Sequence, residues 1–198
     1  MDEYNLYSCR RQVWIRTGIQ TENYGVGGTG YANPNGTAGN FVTRVASIST
    51  DADVYTIFGS FNDVAYALSN NIEIGDPTDT GTTTMCGYFN STLDALYARI
   101  PLANIGIVAP CPWQYCYPGG TGQNSTYGKA YVEALEAVCM RRSVPFLNLF
   151  NFSGMRPWDS DFRTLVYTDD PAGGVHPNAI GHKILATKFK AFLESLLL

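Results

Sequence analysis

The 198 residues are 45% apolar and 15% charged, with a net charge of −4, which suits one well-buried domain better than two. That balance excludes nucleic acid as a main partner, since no basic face is offered to phosphate. No apolar run approaches the roughly 20 residues of a membrane span, and the acidic, polar opening "MDEYNLYSCRRQVW" is not a signal peptide, so the expectation is a cytoplasmic chain unless a leader has been lost.

In chain order, residues 3–16 read as a helix. "TENYGV" (21–26) reads as a strand that leads into a glycine-rich loop. "VYTIF" (54–58) is a short apolar run bounded by turn residues, as a buried parallel strand is. Phe89, Leu93, Leu96, Tyr97 and Ile100 then share one helical face. "IGIV" (105–108) is a second such strand. A helix with Tyr131, Leu135, Val138 and Cys139 on one face follows it. "PFLNLF" (145–150) is a third strand. The last helix aligns Ile180, Ile184, Leu185, Phe189, Phe192 and Leu196. This alternation predicts an α/β fold with a mainly parallel sheet.

Long loops cover 27–36, 70–84, 110–124 and 168–176, and loops of that length in an α/β domain usually carry function. Ligands of such folds sit beyond the carboxyl ends of the strands. The five cysteines, Cys9, Cys86, Cys111, Cys116 and Cys139, are odd in number and scattered, which is not a disulfide framework. Cys111 and Cys116 share a loop, so a bonded and a reduced pair are both open. No Cys/His spacing suits zinc, and neither a metal nor an organic cofactor is expected. The pairs Arg10-Arg11 and Arg141-Arg142 read as solvated helix faces.

Three stretches carry candidate chemistry. In "NYGVGGTG" (23–30), glycines let backbone N–H groups approach a ligand closely. The spacing fits neither a phosphate loop nor a dinucleotide fingerprint, and a plain flexible turn is the alternative. In "FGSFNDV" (58–64), Asn62 stands at the carboxyl end of the first apolar run, as an amide donor or a turn residue. Asp63 beside it reads as an N-cap or turn residue. In "DPAGGVHPNAIGH" (170–182), His176 precedes Pro-Asn at a helix start, as a base or as a structural histidine. His182 reads as packing or capping.

Taken together and in this order, "NYGVGGTG", "FGSFND" and "GVHPNAIGHKILA" resemble the motifs of the SGNH hydrolases, the GDSL-type lipases and esterases, from about residue 20 to the end. "IGIVAPCPW" is similar to that family's fourth strand and the proline-rich loop after it. The resemblance implies a three-layer α/β/α sandwich with a flavodoxin-like sheet. It also implies a serine of a Gly-Asp-Ser motif that attacks an ester carbonyl while a histidine takes its proton. Carried over residue by residue, Gly28 and Asn62 are the oxyanion donors and His176 is the general base.

The chain departs from the family in three places. No Gly-Asp-Ser occurs. Ser8 is the nearest serine and reads as a surface residue of the first helix. Ser60 stands where the family has a glycine, beside the oxyanion donor rather than across from it. The family's aspartate three residues before the histidine is Gly173 here, so either Asp170, six residues ahead, or a backbone carbonyl orients His176. The family's first strand, which lies inside its sheet, would precede Met1. Removing such a strand separates its neighbours by about 10 Å. The expectation is therefore a single domain over 1–198, incomplete at its N-terminus.

The leading functional expectation is a domain that hydrolyses acyl or acetyl esters in its full-length form. Acetylated carbohydrate is one candidate substrate, because Trp113, Tyr115 and Tyr117 in "PWQYCYPGG" could stack on a sugar or instead complete a local core. A second reading is an inactive binding or structural module on the same fold. A third is an unrelated flavodoxin-like domain. Composition assigns no oligomeric state.

Overall fold

The computed structural model describes residues 13, 15, 17–167 and 174–197. Val13, Ile15 and Thr17 are helical, and the rest of the helix expected over 3–16 lies outside the described residues. The described elements are α1 (Phe41–Arg44), β1 (Tyr55–Phe58), α2 (Asn62–Asn70), α3 (Met85–Arg99), β2 (Ile105–Val108), α4 (Gln123–Arg141), β3 (Phe146–Leu147), α5 (Leu149–Phe152), α6 (Ser160–Val166) and α7 (Ala179–Leu197). The strands are parallel, in the order β1-β2-β3, with Tyr55 opposite Ile105 and Ile107 opposite Phe146. The parallel α/β class read from the alternating pattern is the one observed.

The sheet is covered on both faces, and β2 shows why. All four of its residues are buried. Ile105 and Ile107 point into a core with Phe89, Leu93, Leu96, Tyr131, Leu135 and Val138 from α3 and α4. Val108 points the other way, into a core with Leu149, Val166, Leu185, Phe192 and Leu196. The two-residue period of a strand separates the faces, and the expected helical stripes fill them. Ile180 alone leaves its stripe: it is exposed in the first turn of α7.

The strand expected at 21–26 does not form. Its polar groups are engaged by side chains instead of a ladder. The Gly25 N–H donates to Asn23 Oδ1 (2.9 Å), Arg44 donates to the Tyr24 carbonyl, and the Ser49 N–H donates to the Tyr24 hydroxyl (3.1 Å). Such local bonds compete directly with strand pairing. The strands that are present are direct neighbours, with no gap between them. Beyond the far edge of β1 no strand lies among the described residues, and Thr56 and Phe58 are exposed there.

The strand expected over 145–150 shrinks to Phe146–Leu147, because Asn148 caps a helix that starts at Leu149. The open question of the cysteine pair is answered, and one arginine reading changes. Cys111 and Cys116 are not joined in a disulfide. Burial pushes the Cys116 and Cys139 thiols up to about 12 and Cys86 up to about 11, so all three pack as neutral groups. Arg142, read as solvated, pairs with Asp94 at 2.7 Å and donates to Asn90 Oδ1 at 3.3 Å, fastening the end of α4 to α3.

The contact of α7 with the sheet depends on a missing side chain. A Cβ at Gly106 would lie 2.6 Å from Leu196 Cδ1 and 2.8 Å from the Phe192 ring. Overpacking of this kind costs about 1–3 kcal/mol. Gly106→Ala is therefore expected to lower the unfolding free energy by about that amount in urea titrations. A change within about 0.5 kcal/mol, the size of an ordinary surface substitution, would show that α7 does not press on β2 at this point.

Candidate active site

The carboxyl end of β1 supplies the first part of the site. Gly59 prolongs the ladder, its N–H donating to the Val108 carbonyl at 2.7 Å. The chain then turns into α2. Phe61 is the N-cap, and no side chain caps the helix. Ser60 Oγ accepts from the Asn62 N–H at 3.1 Å, which places its hydroxyl beside Asn62, as expected.

Asn62 begins α2 and is exposed. Its Nδ2 donates to the Thr29 carbonyl at 3.2 Å. An amide nitrogen carries two hydrogens, so a second donor remains beyond this bond. Gly28 sits next to Thr29 with φ +75°, a left-handed conformation that favours glycine. A Cβ there would meet Asn35 Nδ2 at 2.5 Å. The Gly28 carbonyl accepts from Asn33 Nδ2 (2.9 Å), the Gly27 carbonyl accepts from Asn35 Nδ2 (2.8 Å), and Arg44 Nη1 donates to Thr29 Oγ1 at 2.8 Å. Among the described residues nothing takes the Gly28 N–H. Two of the residues singled out in the sequence are thus adjacent, 34 positions apart in the chain.

Asp63 is the residue whose role the sequence concealed. It is not the N-cap but lies in the first turn of α2, with 0% of its surface exposed. Its Oδ2 accepts from the Tyr31 N–H (2.9 Å) and the Tyr131 hydroxyl (3.1 Å). Its Oδ1 accepts from the Ala32 N–H (2.9 Å) and the Asn33 N–H (3.0 Å). One carboxylate therefore holds three successive amides of the glycine-rich loop. Gly30 makes room for it, since a Cβ there would fall 2.3 Å from Oδ1. Burial raises the Asp63 carboxyl above its usual range, while the amide and phenol bonds oppose that rise.

His176 is exposed on the loop before α7. Pro177 restricts it to extended backbone and forms an antiparallel bridge with Tyr167. Asn178 caps α7, its Oδ1 accepting from the Ile180 and Gly181 N–H groups (2.9 and 3.2 Å), and its own N–H donates to the Val166 carbonyl (2.8 Å). The Tyr167 hydroxyl donates to the Pro112 carbonyl at 3.2 Å. The His176 loop is therefore fastened to the loop that leaves β2. That loop also reaches β1's end, because Cys116 and Phe61 both abut Gly128 of α4. His182 is half-buried, and burial lowers its imidazole below 6.5, consistent with a packing role. Asp170 and Ser8 lie outside the described residues. Among the described residues no cluster of His, Cys, Asp or Glu is arranged to hold a metal ion, and no helix is long and apolar enough to cross a membrane.

A parallel α/β/α sandwich with an amide-and-glycine pair at one strand end and a histidine loop on the same rim defines a class of ester hydrolases. The chain belongs to that class: residues 7–184 match the GDSL-like lipase/acylhydrolase family. No curated protein matches the sequence. The fold is that of a Lactobacillus plantarum protein (TM-score 0.78, 21% identity, 96% of this chain and 89% of that one). It is also that of a possible lipase from Chitinophaga pinensis (TM-score 0.70, 16% identity, 100% and 93%) and a carbohydrate acetylesterase family member from Sinorhizobium meliloti (TM-score 0.61, 12% identity, 97% and 87%).

The Asp63 contacts set a pH dependence. A carboxyl whose folded pKa is raised binds its proton more tightly folded than unfolded, so its contribution to stability falls as pH rises from 3.8 to the folded value. The difference in unfolding free energy between the native protein and Asp63→Asn should decline over that range. A difference that instead grows with pH would mean that the hydrogen bonds, not burial, dominate.

Proposed function

We propose that this domain hydrolyses acyl or acetyl esters by Ser-His chemistry, with acetylated carbohydrate as the substrate class. The bond between the Asn62 amide and the Thr29 carbonyl supports the reading, because it ties the Asn62 side chain to the residue that follows Gly28 before any substrate arrives. In this mechanism a serine hydroxyl attacks the ester carbonyl. His176 takes the hydroxyl proton. The carbonyl oxygen becomes an oxyanion and accepts hydrogen bonds from the Gly28 N–H and Asn62 Nδ2. His176 returns the proton to the departing alcohol as the C–O bond breaks. Water then cleaves the acyl-enzyme by the same route in reverse roles. Asp170, or a backbone carbonyl in its place, orients the imidazole. Membership of the GDSL-like family supports ester hydrolysis, and the shared fold with a carbohydrate acetylesterase family member is in keeping with the substrate class.

A second reading is a binding module that kept the oxyanion loop. The absence of Gly-Asp-Ser from the sequence favours it. Hydrolysis of p-nitrophenyl acetate separates the two. Under the esterase reading, Asn62→Ala lowers kcat by about 10²–10³, the usual cost of one oxyanion donor, and His176→Ala abolishes turnover. No hydrolysis by the protein would leave the binding module.

A further inference from the structure

Two aromatic side chains stand on the rim of the site without a place in the ester chemistry. Tyr117 belongs to the loop after β2. Trp158 belongs to the turn before α6 and is 46% exposed. Their ring centroids lie 5.1 Å apart with the planes tilted by 34°. Both come from anchored backbone. The Tyr117 N–H donates to Ser125 Oγ (3.2 Å) and the Tyr117 carbonyl accepts from the Gly120 N–H (2.9 Å). Arg163 donates to the Pro157 carbonyl at 2.8 Å, and Asp159 caps α6 immediately after Trp158. The pair is therefore built before a ligand is present.

The pair also lies close to His176. A Cβ at Gly174, two residues before the histidine, would sit 3.4 Å from Pro157 Cβ, and Pro157 adjoins Trp158. On the other side, Tyr167 joins the histidine loop through Pro177 and the Tyr117 loop through Pro112. The same loop holds Gln114, whose buried Oε1 has no hydrogen-bond partner among the described residues, an acceptor of the kind a bound hydroxyl would satisfy.

We propose that Tyr117 and Trp158 form a stacking subsite for the sugar ring of an acetylated oligosaccharide, which rests on the esterase reading for its position beside His176. A pyranose offers an aromatic face its C–H groups and turns its hydroxyls toward polar neighbours. Half-exposed Trp and Tyr side chains combine an apolar face with a polar edge and suit that contact. Of the three aromatics noted in the loop sequence, Tyr117 is the one that pairs with Trp158. Trp113 and Tyr115 pack edge-to-face on each other at 5.5 Å.

The test is calorimetric titration with xylotetraose, which carries no ester and so reports binding alone. The native protein is expected to bind it. Trp158→Ala should weaken binding about tenfold, the loss of one good aromatic contact, while Trp158→Phe, which keeps a ring, should stay within about threefold. The proposal is overturned if the native protein binds phenol but not xylotetraose, if Trp158→Ala binds as the native protein does, or if the Ala and Phe variants lose binding equally. Because the titration needs no turnover, its failure is separate from a failure to hydrolyse p-nitrophenyl acetate.

Discussion

The site depends on one buried carboxylate. Asp63 leaves water completely, and four donors among the described residues converge on it in compensation: three successive amides from 31–33 and one phenol from α4. Each hydrogen bond to a charged group is worth about 1.5–3 kcal/mol, and each buried donor left without an acceptor costs about 1–3 kcal/mol. The raised carboxyl shows that burial outweighs the bonds for the charge itself. Removing the carboxylate still strands three amides, so the loop and α2 form together or not at all.

From that constraint the placing of Asn62 against the glycine-rich loop follows. Asp63 and Asn62 are consecutive in the first turn of α2, so the element that clamps 31–33 also aims the Asn62 amide at Thr29. The glycines answer the same demand. Gly30 yields space to the Asp63 carboxylate, and Gly28 adopts a positive φ under the Asn35 amide. Tyr131, the fourth donor, is itself wholly buried against Phe89 and Phe61. The hydrophobic core on one face of the sheet is thus tied directly to the loop that holds the donors. The His176 loop reaches the same rim by a separate route, through Tyr167 and Pro112 on the other side of the sheet.

Much of this was legible in the sequence because it is periodic or local. The apolar runs at 54–58 and 105–108 gave their strands, and the stripes from Phe89 to Leu96 and from Tyr131 to Cys139 gave the faces of α3 and α4. Gly28 and Asn62 were legible from motif order, and the structure sets them together. Asp63 was not. Its local sequence fits a cap, and its true partners lie 30 to 68 residues away, where no spacing rule reaches. The strand expected at 21–26 failed for a related reason: Arg44, Asn23 and Ser49 engage the backbone and the Tyr24 side chain. Trp158 escaped notice because its partner Tyr117 sits in a different loop, 41 residues earlier.

Hydrogen exchange at single amides tests the clamp most directly. The amides of Tyr31, Ala32 and Asn33 should exchange only through global unfolding, as slowly as the core of α4, while the Gly28 amide, with no acceptor among the described residues, should exchange within the fast, locally open class. Rapid exchange at all three of 31–33, with α4 still protected, would contradict the account, because the Asp63 carboxylate would then not be holding the glycine-rich loop.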